Sequence, residues 1–381
     1  MTEGAERARA YDDLICTVLR GEGVAWPARV AEVDVEEFLA RADHHGTLPL
    51  LHDRLRDPAI ADSWPGSIRE RCRAAALFGA AWEMAQRGEI IRVLAAFREA
   101  QMKPLILKGA ALACSHYTHP GLRPRSDLDL IVAEADHRRA EEVLRRLGYA
   151  RQGVPMGTHI ASESTWSIAM RDGSSIDVDL HWRSSNSPAL ARLMGYEEMQ
   201  ARAVPVPSLG PAAFAPCPVH ALLFACIHRA GHEHAPMYVE GVAVPAKDRL
   251  IWLYDIHLLA STMPGAELEE AASIASNRRM TAFVHDALEL CEVRFALRLP
   301  ASVKAMLAHG RRREPAPITH GGRLRGMAGD FLAICGVAER LLWLRELAFP
   351  SAQYMHAKYP TSSAWLPVLY ARRAVDGFRK L

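Results

Sequence analysis

Two short stretches alternate acidic and apolar residues so regularly that they read as strands rather than helices, and they constrain the fold more than any other feature of the chain. They are Ser126-Asp127-Leu128-Asp129-Leu130-Ile131-Val132 and Ile176-Asp177-Val178-Asp179-Leu180-His181-Trp182. Successive side chains of a strand point to opposite faces, so Asp127 and Asp129 leave one side while Leu128 and Leu130 enter a core. In the second stretch Ile176, Val178 and Leu180 face one way and Asp177, Asp179 and His181 the other. A third carboxylate beside the first pair, from Asp179 or Asp177, is then geometrically easy. Anions held this close on half-buried strands repel each other unless a cation lies between them. Magnesium, or manganese in its place, is the expected ion: hard, fond of oxygen, and commonly shared between carboxylates and substrate phosphates.

The surroundings of these strands set the fold class. Residues 11–101 carry helical periodicity, with a long alanine-rich run from Cys72 to Phe97. Short apolar runs at 104–107, 127–132, 165–170 and 176–182 read as strands, the last two joined by a turn at Arg171-Asp172-Gly173-Ser174. Beyond the proline-rich stretch 205–218 helices are expected at 219–234, 248–261, 268–297, 331–347 and 365–378, with an exposed linker at 309–322. The expectation is an α+β protein in three parts: an N-terminal helical region at 1–102, a small mixed-sheet α+β core at 103–183, and a large helical C-terminal domain at 184–381.

Upstream of the first acidic strand, Leu105-Ile106-Leu107-Lys108-Gly109-Ala110-Ala111 places a glycine where a strand gives way to a helix. Free backbone N–H groups at such a turn can hold phosphate oxygens. Neither a Gly-x-x-x-x-Gly-Lys-Ser/Thr loop nor Gly-x-Gly-x-x-Gly is present. The Lys-Gly-Ala helix start, Arg123-Pro124-Arg125-Ser126-Asp127-Leu128-Asp129, Asp179-Leu180-His181-Trp182, the helix with His228 and His232, and Arg249-Leu250-Ile251-Trp252-Leu253-Tyr254-Asp255-Ile256 together resemble an uncharacterised nucleotidyltransferase family of the polymerase-β-like superfamily. The resemblance extends over about residues 70 to 375, including Phe349-Pro350-Ser351 and Tyr359-Pro360. It implies a polymerase-β-like core, dependence on an NTP and magnesium, and transfer of a nucleoside monophosphate to an acceptor. It also implies Asp127, Asp129 and Asp179 as catalytic metal ligands, with Asp177 the second choice for the third. That superfamily usually has Gly-Ser or Gly-Gly at the phosphate-binding turn, nearer the aspartate pair. Gly109-Ala110 departs from this, so Lys108, Ser126 or a lysine of the helical part would supply the missing contact.

Arg123 and Arg125, in the loop entering the first acidic strand, and Lys247 and Arg249, at the start of a helix, are candidate nucleotide contacts. Lysine would act as a point charge and arginine as a fork. ATP is the first choice of nucleotide. The acceptor, a small molecule, peptide or protein, is not given by the sequence. A catalytically inactive nucleotide-sensing or partner-binding module is the alternative, though a silenced relative has no electrostatic reason to keep three acids together. A zinc site on His228, His232 and His234 is a weaker rival, since no glutamate follows His228 as a zincin requires. Composition narrows the field further. A net charge of +2 gives no global field for duplex nucleic acid. Seven scattered cysteines without a Cys-x-x-Cys pair suggest reduced packing residues. The acidic opening lacks the apolar segment of a signal peptide and no apolar run is long enough to span a bilayer, so a cytoplasmic location is expected.

Overall fold

The computed structural model describes residues 3–27, 32–232, 237–239, 242–244, 249–314, 322–360 and 365–378. Most of these residues are helical, and one small mixed sheet lies among the helices. Its strands are β1 (Leu105–Ile106), β2 (Asp127–Ile131), β3 (Ala150–Arg151), β4 (Glu163–Ala169) and β5 (Ser175–His181), in the order β1-β2-β5-β4-β3. Strands β2 and β5 run parallel, and every other neighbouring pair is antiparallel. The register sets Asp127 opposite Asp177 and Asp129 opposite Asp179. Because the period is two on both strands, all four acids emerge on one face.

The other face is apolar. Leu128, Leu130, Val178, Leu180 and Trp166 pack there against Ile90, Val93, Leu94 and Phe97 of the Gly66–Glu99 helix and Ala140, Val143 and Leu144 of the His137–Arg146 helix. A strand that buries one side and loads the other with charge can fit only one way round. A second, larger core joins elements distant in sequence: Tyr11, Ile15 and Val18 of the Glu3–Leu19 helix share it with Val284, Leu288 and Cys291 of the Thr281–Phe295 helix. Arg20 Nη1 donates to the Arg294 carbonyl at 3.0 Å on the same seam.

Several sequence boundaries shift. The long 268–297 segment is two helices, Gly265–Asn277 and Thr281–Phe295, broken where Arg279 takes a left-handed φ of 57°. The 331–347 segment belongs to Gly322–Ala333 and Val337–Ala348, separated at Gly336 with φ 88°. Residues 301–313 form a helix, so the expected linker at 309–322 starts inside it, and 315–321 lie outside the described residues. The helix begun at Pro218 ends at Gly231. Among the described residues no helix is long and apolar enough to cross a membrane. All seven cysteines are free; Cys335 is exposed and Cys114 half-buried, the others buried.

Candidate functional site

The acidic face of the sheet opens onto a cavity of about 1160 Å³, walled by the 66–99 helix, the Pro218–Gly231 helix and the start of the Leu250–Thr262 helix. At its floor a carboxylate oxygen from each of Asp127, Asp129 and Asp179 lies within 4.8 Å of the others. No other group of three potential metal ligands exists among the described residues. Asp177 also lines the cavity but stands outside this group, and its Oδ1 is buried with no hydrogen-bond partner among the described residues.

Each carboxylate has its own electrostatic setting. Asp129 accepts from Lys108 Nζ at 2.6 Å and meets His181 Nε2 at 2.9 Å. Burial opposes its ionisation, but Lys108 and His181 outweigh it and hold the carboxyl far below the usual range. Asp127 goes the other way: burial first, then the charges of Asp129 and Asp179, push it up to about 7 despite Lys108 and Arg123. Burial likewise raises Asp179, although Thr165 Oγ1 donates to its Oδ1 at 2.7 Å. His181 reaches Glu163 Oε2 at 3.0 Å through Nδ1, and its two carboxylate partners overcome burial to raise it to about 9. Lys108 and the protonated His181 both spend their charge on Asp129, and Glu163 shares His181, so Asp127 and Asp179 have no cation in direct contact among the described residues. The donor set is all oxygen, closely spaced and short of positive charge, which fits magnesium or manganese.

The turn before the first acidic strand behaves differently from its sequence reading. Lys108 opens the Lys108–Ser115 helix with a left-handed φ of 50°, an uncommon strain for a side-chain-bearing residue. That turn aims Nζ at Asp129. A Cβ on Gly109 would lie 3.3 Å from the Arg123 guanidinium, so an arginine, not only a phosphate, accounts for the glycine. Ala110 has its side chain in the sheet core, leaving only its backbone to face a ligand.

Arg123 is fully engaged. It forks onto Asp255 through Nε (3.1 and 3.2 Å) and Nη2 (2.7 Å), and Tyr117 Oη donates to the same carboxylate at 2.7 Å. Arg125 pairs with Glu83 along the cavity wall, while Ser126 is exposed at the rim. Arg249 lines the cavity, donates to the His44 carbonyl at 3.0 Å and lies over the Trp252 ring. His228 and His232 stand ring to ring at 4.6 Å on another wall, and burial drives His228 well below its usual value. Lys247 and His234 lie outside the described residues. The sequence reading missed Glu163 and the Arg123–Asp255 and Arg125–Glu83 pairs. The signal for Asp255 was present, since an acid within a run as apolar as Leu250 to Leu259 needs a buried partner.

A helix-flanked mixed sheet with an aspartate pair on a central strand has the architecture of a nucleotidyltransferase core. A family model described as an uncharacterised nucleotidyltransferase matches residues 31–296, and the chain belongs to that family. The match covers the sheet and the helices on both sides of it, beginning and ending earlier than the expected 70 to 375. No curated protein matches the chain.

Proposed function

We propose that the protein moves a nucleoside monophosphate, AMP first among them, from an NTP to a hydroxyl or similar nucleophile of a small molecule, peptide or protein. Pyrophosphate is released. The observation that carries this reading is the convergence of three carboxylate oxygens within 4.8 Å at the floor of one cavity. Asp127, Asp129 and Asp179 would hold two magnesium or manganese ions, which when bound neutralise the triphosphate and the charge that develops during displacement. Asp177 remains the alternative third ligand.

The remaining chemistry belongs to the chain. The acceptor oxygen attacks the α-phosphorus; a new P–O bond forms as the bond to the α–β bridging oxygen breaks, and pyrophosphate leaves with that electron pair. Asp179 Oδ2 takes the acceptor proton, since Oδ1 is already held by Thr165 and the raised affinity for protons suits a base. His181, fixed between Glu163 and Asp129, keeps Asp129 oriented. Lys108, which holds Asp129 and lines the cavity, would lend its charge to the polyphosphate. The backbone of Gly109 and Ala110, with Arg125, Ser126, Lys247 and Arg249, is assigned to the nucleotide. Residues 103–183 act as the catalytic unit, and the helical parts 1–102 and 184–381 enclose the acceptor.

Retention of all three acids favours an active enzyme over a binding module. The test is incubation with each α-labelled NTP, magnesium and a host extract, following which molecule acquires label. Asp127→Ala and Asp129→Ala are each expected to lower label transfer at least a thousandfold; Asp127→Ala keeps the fold because removing that anion relieves repulsion, whereas Asp129→Ala leaves Lys108 and His181 without their shared counter-charge and also costs stability. Undiminished transfer in either variant defeats the mechanism, and NTP binding without turnover identifies the binding module.

A further inference from the structure

The Gly66–Glu99 helix runs for 34 residues, and the fold uses only one side of it. Ile68, Cys72, Ile90, Val93, Leu94 and Phe97 are buried there, and Trp82, Glu83 and Gln86 wall the cavity. The opposite side carries Ala74, Leu77, Ala81, Met84, Gly88 and Ile91, spaced alternately three and four residues apart. All six are exposed, Leu77 by 61%, Met84 by 78% and Ile91 by 40%. That spacing draws them into one stripe along the helix, as in the contact line of a coiled coil. Glu70 and Arg98 stand one heptad beyond Leu77 and Ile91, so a charge closes the apolar stripe at each end.

The order of residues in the stripe says what covers it. Every seventh residue from Ala74 is small, as Ala81 and Gly88 are, and every seventh from Leu77 is long, as Met84 and Ile91 are. A second copy laid alongside in the same direction sets small against small and long against long. Turned antiparallel about a twofold axis between Ala81 and Met84, it sets Leu77 opposite the partner's Gly88, Met84 opposite the partner's Ala81 and Ile91 opposite the partner's Ala74. Each long side chain then fills room that a small one leaves, and the twofold repeats every contact, as an isologous interface requires. At the Ala74 end a groove of about 630 Å³ opens between this helix and the Glu32–His44 helix, with Leu39 and Ala40 in its wall, where the partner's Ile91 arrives. The stripe spans about 26 Å at 1.5 Å per residue, and its exposed side chains with their flanks bring a pair to roughly 1,000 Å² of buried surface, enough for a weak but specific dimer.

We propose that two copies of the chain pack through this stripe, their 66–99 helices antiparallel and each cavity on the far side of its own helix. None of the six residues lines that cavity, so the inference stands apart from the transfer reading. Both copies keep an open site, and the wall that holds Trp82, Glu83 and Gln86 is braced from behind.

Sedimentation equilibrium of the full chain across roughly 1–200 µM tests this, a range that brackets the micromolar affinity of so small an interface. The expected result is a reversible equilibrium between monomer and dimer. Ala81→Glu and Met84→Lys fall on exposed positions of a helix that accommodates either new residue. Each is expected to weaken the dimer about tenfold or more and to leave the circular dichroism spectrum unchanged. Mixed in equal amounts, the two variants should associate with each other about fivefold more tightly than either does with itself, because the antiparallel pair brings the new acid of one against the new base of the other. A parent that stays monomeric throughout, a dimer that both variants leave intact, or variants that fail to recover on mixing overturns the proposal. A monomeric chain that sediments with anionic lipid vesicles assigns the stripe to a membrane surface and overturns it too.

Discussion

The Arg123–Asp255 pair joins the loop that enters β2 to the helix at 250–262, and breaking it from one side is expected to be expensive. Both side chains are nearly buried, at 8% and 6% exposure, and Asp255 accepts from Arg123 at three contacts and from Tyr117 at a fourth. Asp255→Asn keeps the volume but leaves a buried guanidinium without its counter-charge, a loss of about 3–5 kcal/mol. The solvent-exposed pair Arg202–Glu270 is the internal control. With 46% and 39% exposure it contributes no more than about 1 kcal/mol, so Glu270→Gln hardly moves the transition. Replacing both buried partners with apolar residues, Arg123→Met with Asp255→Leu, removes the stranded charge and recovers most of the loss. Urea unfolding followed by circular dichroism reads all of these as midpoint shifts at constant slope. If Asp255→Asn costs no more than Glu270→Gln, or the double variant costs as much as the sum of its singles, the pair does not hold the loop to the helix as argued.

Three further outcomes are expected. Gly79→Ala places a Cβ 2.6 Å from the Gly121 carbonyl oxygen, so backbone must shift; a loss of about 1–3 kcal/mol in the same assay is expected, and no loss shows that the crossing is looser than described. Burial alone would raise the Asp12 carboxyl, but Arg41 and His45 hold it down at about 2, so its stabilisation is complete above the unfolded value near 4 and fades as pH falls towards 2. Asp12→Asn should flatten the stability curve between those pH values, and an unchanged acid slope argues against the pairing. Glu346 accepts from the consecutive N–H groups of Thr158, His159 and Ile160, so Glu346→Ala should speed hydrogen exchange at those three amides, by about tenfold for each ~1.4 kcal/mol lost. Unchanged protection there rules out the carboxylate as their anchor.

The acidic face was legible because alternation is a one-residue rule: once Leu128 and Val178 are inside, Asp129 and Asp179 have nowhere else to go. Strand β3 was not, since two exposed residues, Ala150 and Arg151, are too few to show any period. The break between the helices at 265–277 and 281–295 falls on Arg278-Arg279-Met280 without glycine or proline, so no local signal marks it. Which residue meets which cation was legible least of all. Lys108 meeting Asp129, Arg123 meeting Asp255 and Glu163 meeting His181 are pairings across separations that only the folded sheet and helices fix. Gly109 shows a different case: the Arg123 guanidinium lies against the turn where the sequence led us to expect a phosphate.

The seam between the opening helix and the helix at 281–295 sets an order of events during synthesis. Its bond from Arg20 to Arg294 spans 274 positions, so the first helix leaves the ribosome long before its partner exists. Bridging so large a gap adds little entropic penalty over a gap half as long, because closure grows only with the logarithm of length. The exposure in the meantime is the greater hazard: Tyr11, Ile15 and Val18 must stay wet, or borrow a chaperone, until the far end of the seam emerges.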